Sequence, residues 1–188
     1  MSSWSALEGP FGGSGGGGEG SVLLMPGACT LPDSSSGNAP AALTRIQGTE
    51  SNPKKHFMIL GYDGAGSTIE YAWWAFPMPP DYSAGDQLDI AWYANTTTGN
   101  VNWNARVGAI TAGDADTILE HACAAEANVT TSVDTTEANR VVKSTITLNM
   151  DGAVAGDVMF VTIYRDPNDD TCTADANLAF AIFRYTRG

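Results

Sequence analysis

His56 and His121 are the only imidazoles in the chain, and His121 has the company that nucleophilic chemistry needs, with Glu120 before it and Cys123 two positions after. An imidazole activates a thiol by taking its proton. Residues two apart on one element do not face each other well enough for that transfer. The carboxylate pairs Asp114/Asp116 and Asp169/Asp170 read as solvated surface rather than as acid and base. The run GGSGGGGEG has no preceding strand, no lysine and no following helix, so it is not a phosphate-binding loop. The expectation is a chain with no catalytic residue, no enzymatic activity and no cofactor.

Two other groupings remain. Asp166, Asn168, Asp169 and Asp170 in the loop RDPNDD offer the oxygen ligands that calcium takes. Their spacing is not that of an EF-hand, and no distal glutamate follows. The plainer reading is an acidic turn closed by aspartate–backbone bonds, with Arg165 or Arg184 paired to Asp170. The second grouping is aromatic: Trp73, Trp74, Trp92, Tyr93 and Trp103. Such rings stack on sugars, but at strand spacing they more often form core or subunit contacts. Trp73 and Trp74 must point to opposite faces of a strand, which singles out Trp74 as the expected ligand-stacking ring.

The elements that position these residues read as strands. From Ile69 the run IEYAWWAF alternates, with Tyr71 and Trp73 on one face and Ala72, Trp74 and Phe76 on the other. Prolines at 77, 79 and 80 end it. His56–Tyr62 and Gln87–Ala94 are further strands. Val101, Trp103, Ala105 and Val107 alternate with Asn102, Asn104 and Arg106 in a half-buried strand, and Val142–Met150 has one wet face. The stretch Asp116–Asn128 is read as strand or irregular rather than helix. Ala-Gly-Asp recurs at 84–86, 112–114 and 155–157 as a turn device that launches strands.

The chain closes on a hairpin, Gly156–Arg187. In its first strand Val158, Phe160, Thr162 and Tyr164 oppose Met159, Val161, Ile163 and Arg165. In its second, Leu178, Phe180 and Ile182 oppose Ala179, Ala181, Phe183 and Tyr185. Both faces are apolar, so both are expected to be covered, with Ala179, Ala181 and Phe183 meeting another subunit. About eight strands at this spacing make an all-β sandwich. Residues 1–21, with Trp4 and Phe11 among glycines, form an extended arm whose two rings are expected to anchor on a neighbouring subunit. Residues 22–188 form the sandwich domain.

Composition limits the partners. Twenty-one acidic against nine basic residues give a net charge of −12, which opposes binding to nucleic acid or to an anionic membrane. Cys29, Cys123 and Cys172 are too scattered for a disulfide framework or a zinc site and are read as reduced, with a Cys123–Cys172 bridge as the rival. The first residues, MSSWSALEGPFGG, show neither a basic start nor an apolar run, so a secretory signal is not expected.

The order LMPGACTLP, EYAWWAFPMPPDYSAGDQLDIAWYA, TTGNVNW, STITLNM, GDVMFVTIYRDPNDD and ANLAFAIFRY resembles a jelly-roll type found among virion proteins of tailed bacteriophages, over residues 22–187. That resemblance implies an antiparallel jelly-roll β-sandwich, a homotrimer and a place in the virion. It implies contact with the major capsid protein or other virion proteins, as a decoration (cement) protein that stabilises the head lattice. The alternative it allows is a receptor- or glycan-binding tail appendage with Trp74 at its site.

Overall fold

The period-two runs fold as strands, and the strands stack as two sheets. The computed structural model describes residues 17–34, 38–49, 53–64, 67–113, 115, 117–118 and 120–188. Eleven strands are described: β1 (Glu19–Leu24), β2 (Ala39–Pro40), β3 (Ala42–Gln47), β4 (His56–Tyr62), β5 (Glu70–Pro77), β6 (Tyr82–Ala94), β7 (Asn100–Ile110), β8 (Ala127–Ser132), β9 (Val142–Thr147), β10 (Val158–Arg165) and β11 (Ala176–Arg187). The first sheet runs β3-β4-β11-β6-β9, with β1 also paired to β11; the second runs β2-β5-β10-β7-β8. Pairing is antiparallel throughout except for the short β2–β5 contact. The result is an all-β jelly-roll sandwich.

The core lies between the sheets. Leu60, Tyr62, Leu88, Ile90, Trp92 and Phe183 from the first sheet meet Ala72, Trp74, Val101, Trp103, Val161 and Ile163 from the second. Trp103 sets its edge on Tyr62 and Trp92, with ring centroids 5.1 and 5.7 Å apart. Alternation therefore grouped the side chains of β5, β7 and β10 by face correctly, although the β5 face that carries Trp74, expected outward, is the one that turns into the core. The glycines of all three Ala-Gly-Asp echoes have positive φ, Gly85 at 110°, Gly113 at 97° and Gly156 at 88°. The last is closed by its aspartate, Asp157, which accepts the Val154 amide at 2.8 Å. Gly85 lies inside β6, at a register shift against β11.

Strand β11 departs from the expected facing. Its pairing with β6 shifts between Leu178 and Phe180, so Ala179 is an extra residue in a β-bulge. A bulge moves every later side chain to the other face. Leu178, Ala181, Phe183 and Tyr185 all turn into the core, and Phe180, Ile182 and Arg184 turn outward. The expected subunit contact through Ala181 and Phe183 is thereby corrected: both are buried in their own chain, at 0% and 1% exposure. Ala179 stays half-buried at the bulge.

Residues 19–21, expected to belong to the arm, are part of β1, which pairs with β11 through Glu19↔Thr186 and Gly20↔Tyr185. Gly20 is required because the Tyr185 ring lies across it; a Cβ there would stand 2.1 Å from a ring carbon. Trp4 and Phe11, the expected anchors, lie outside the described residues, as do Asp114 and Asp116.

Candidate functional site

The outward face of the first sheet carries a groove of about 300 Å³ lined by Asp89, Ala91, Val141, Val142, Lys143, Phe180, Ile182 and Arg184. Cross-strand register explains its shape. On this face Ala91 of β6 sits between Phe180 of β11 and Lys143 of β9. Directly opposed side chains on one face are neighbours, so a methyl between two long side chains leaves a hollow. The bulge at Ala179 brings Phe180 to the edge of that hollow, where the ring is 37% exposed. Leu23 on β1 opposes Ile182 and extends the apolar surface.

Beside the hollow is a buried carboxylate. Asp89 accepts a hydrogen bond from the Thr145 hydroxyl at 2.6 Å and from Arg184 Nε at 2.5 Å. Lys143 Nζ is 3.3 Å from its Oδ1. Burial pushes the Asp89 carboxyl up, but the Thr145 hydroxyl, Arg184 and Lys143 outweigh it and hold the group below its ordinary value. The side chain is 6% exposed, whereas those of Lys143 and Arg184 are 62% and 40% exposed. Asp89 thus anchors two cations, both of which line the groove.

The second sheet has a smaller cavity of about 180 Å³ on its outer side, lined by Trp73, Gly108, Ile110, Ile118, His121, Cys123 and Phe160. Here His121 Nε2 lies 2.6 Å from Asp151 Oδ2, which also accepts the Ala109 amide. Sequence reasoning missed Asp151, thirty residues from its partner. His121 and Cys123 do converge, each 3.5 Å from the position a Cβ on Gly108 would take. Burial pushes the Cys123 thiol up and Asp151 adds to that, against Arg106. A thiol held protonated in this way is not an activated nucleophile.

The remaining sequence candidates fall elsewhere. Trp74, the expected stacking ring, is 3% exposed and donates its indole N–H to the Met25 carbonyl at 2.9 Å. Its faces are packed in the core, so it cannot stack on a ligand. Trp92 and Trp103 are buried as well; Trp73 and Tyr93 point outward on opposite sheets and are half-buried. The calcium reading is corrected too. Asp170 turns inward to Arg165 Nε at 2.6 Å, and Asp166 accepts the backbone and side-chain N–H groups of Asn168. Asp169 is exposed. Among the described residues no group of three His, Cys, Asp or Glu side chains is placed to hold a metal. All three cysteines are free, so the Cys123–Cys172 bridge does not form.

No family model and no curated protein matches the chain. Solved structures share its outline at low identity. The CBM27-1 module of Caldicellulosiruptor saccharolyticus in complex with mannohexaose is 8% identical over 87% of this chain and 96% of its own, with a TM-score of 0.45. A xylan-binding domain from CBM 22 is 11% identical over 94% and 98%, at 0.44. The family 11 carbohydrate-binding module from Clostridium thermocellum, bound to a mixed-linked tetrasaccharide, is 8% identical over 98% and 96%, at 0.42. At these scores the likeness transfers no residue role to this chain.

The groove residues were only partly visible beforehand. In QLDIAWYA, period two sets Asp89, Ala91 and Tyr93 opposite Leu88, Ile90 and Trp92. A lone carboxylate and a small residue on an outward face were the available signal. Phe180 gave none, because the bulge decides where it points.

Proposed function

We propose that this protein is a non-catalytic saccharide-binding β-sandwich that uses the groove on its first sheet, in the setting of a tailed-phage appendage. One observation carries the reading: an exposed phenyl ring, Phe180, stands on the rim of a hollow floored by Ala91, with the N–H groups of Arg184 and Lys143 beside it. Sugars present an apolar C–H face and a rim of hydroxyls, so an aromatic shelf with adjacent donors fits both. The polar groups are fixed by Asp89, which reduces the ordering cost of binding. A glycan array followed by calorimetry tests this. Phe180→Ala is expected to weaken the selected saccharide by about tenfold, while Val158→Ala, at an exposed position on the other sheet, leaves it unchanged. Equal binding by all three proteins would remove the groove from the reading.

A second reading is favoured by a specific observation. Leu23, Phe57, Val141 and Phe180, all on the outward side of the first sheet, are exposed large apolar groups, and a subunit or lattice contact would bury them. This is the decoration reading, a homotrimer seated on the major capsid protein. Counting copies per particle separates the two, since a cement protein repeats across the head and an appendage is few. Sedimentation of the purified chain tests the trimer.

A further inference from the structure

Resting on the saccharide reading, we infer that the groove selects an acidic glycan, a uronic-acid-containing oligosaccharide whose carboxylate is taken by Arg184 and Lys143 while its ring lies on Phe180 and Ile182. The argument starts from hydrogen-bond capacity. Asp89 is the carboxylate lining this groove, and its oxygens are already used. Oδ1 takes the Thr145 hydroxyl, Oδ2 takes Arg184 Nε, and Lys143 Nζ approaches both oxygens. Nearly buried, it is closed to a sugar hydroxyl. What the groove presents is therefore donor-rich: a guanidinium that gives only its Nε–H to Asp89 and an ammonium with N–H groups to spare. Two cations share the one carboxylate that lines the groove, and the exposed Glu19, 4.0 Å from Arg184, is a second anion on the flank, in a chain whose net charge is −12.

A second observation points to a carboxylate in particular. Glu19 Oε2 lies 4.0 Å from Arg184 Nη1, and its side chain is 84% exposed. That distance is too long for a hydrogen bond. Glu19 is a loosely held carboxylate drawn to the guanidinium from the flank, and a ligand carboxylate arriving from the groove side would find the same nitrogens. Paired guanidinium N–H groups match the two oxygens of a carboxylate. The chain's overall negative charge repels polyanions at long range, so the selection is a local one and not a general affinity for acidic polymers.

The test is calorimetric titration of the purified protein with three oligomers of equal length: an oligogalacturonate, its carboxyl-reduced neutral counterpart, and a sulfated form of that counterpart. The acidic oligomer is expected to bind about tenfold tighter than the reduced one. Lys143→Gln narrows that ratio, and Glu19→Gln, which removes the competing carboxylate, widens it. Thermal melts confirm that both variants fold. Equal affinity for acidic and reduced oligomers overturns the inference and leaves saccharide binding standing. Preference for the sulfated oligomer overturns the choice of carboxylate. Failure of all three, together with an empty glycan array, overturns the saccharide reading and this inference with it.

Discussion

Replacing Arg165 by methionine is expected to be the most damaging single change on the closing hairpin. The guanidinium is 1% exposed and serves four acceptors. Nε donates to Asp170 at 2.6 Å. Nη1 donates to the carbonyls of Tyr62 at 3.1 Å and Ala174 at 2.8 Å, and Nη2 to that of Cys172. One side chain thus ties the end of β10 to β4 and to the connection that leads into β11. Methionine fills most of the volume but leaves Asp170, 2% exposed, as an uncompensated buried charge. Removing one partner of a buried pair costs about 3–5 kcal/mol. Three carbonyls at roughly 1 kcal/mol each add to this where the loop cannot relax. Against a total stability of about 5–15 kcal/mol, that is a large share. Urea unfolding followed by tryptophan fluorescence reads it directly, because Trp92 and Trp103 are buried. With a slope of about 2 kcal/mol per molar, the stranded charge alone should lower the midpoint by roughly 2 M, and carbonyls that stay unpaired lower it further. Adding Asp170→Asn to Arg165→Met relieves the stranded charge, so the double variant should recover part of the loss, about 1–3 kcal/mol. A midpoint for Arg165→Met close to that of the unaltered protein would refute the reasoning, as would a double variant no more stable than the single one.

Other consequences follow from the same accounting of buried polar groups. Asp89 has its folded-state pKa depressed, so its stabilising contribution is present above the ordinary carboxylate range and is lost as pH falls through the folded value. Unfolding midpoints of the protein and of Asp89→Asn should therefore converge as pH is lowered from neutrality. Trp92 and Trp103 form a matched pair: the indole N–H of Trp92 reaches Ser144 Oγ at 2.8 Å, whereas that of Trp103 is buried with no partner. Both lose the same volume on replacement by phenylalanine. Trp92→Phe should nevertheless be the costlier change, by about 1–3 kcal/mol, because it removes a hydrogen bond where Trp103→Phe removes an unsatisfied donor; equal losses would contradict this.

Much of the fold was legible because most strands carry an unambiguous period. On β7, large apolar side chains alternate with polar ones, and only one assignment buries Trp103 and Val107 together, whereas on β5 the adjacent Trp73 and Trp74 left the inward face open. The acidic loop was legible in its plainer reading for a similar reason. A lone arginine at an inward position of β10 has to find an anion, and Asp170 is five residues away. The site was less legible because its contacts join distant segments. Asp89 meets Lys143, Thr145 and Arg184 across 54, 56 and 95 residues. Asp151 reaches His121 from a residue with φ of 54°, a conformation that alternation does not anticipate.

The misplacement of β11 has a sharper cause. A strand with polar residues on one face punishes a one-residue slip, since the slip would bury them. Here the two sets, Leu178, Phe180 and Ile182 against Ala179, Ala181 and Phe183, are both apolar, so either facing satisfies the pattern. Size decides instead. With the bulge, Phe183 packs its ring 6.1 Å from those of Phe76 and Tyr185 inside the sandwich. Ala181 then fills the narrow space opposite Ile90. Without it, Phe180 and Ile182 would enter the core and Phe183 would leave it. The bulge that optimises the interior is thus the same event that delivers Phe180 to the surface beside Ala91. A surface phenyl ring in this chain is a consequence of core packing, and the groove follows from that placement and from the small residue the facing strand sets against it.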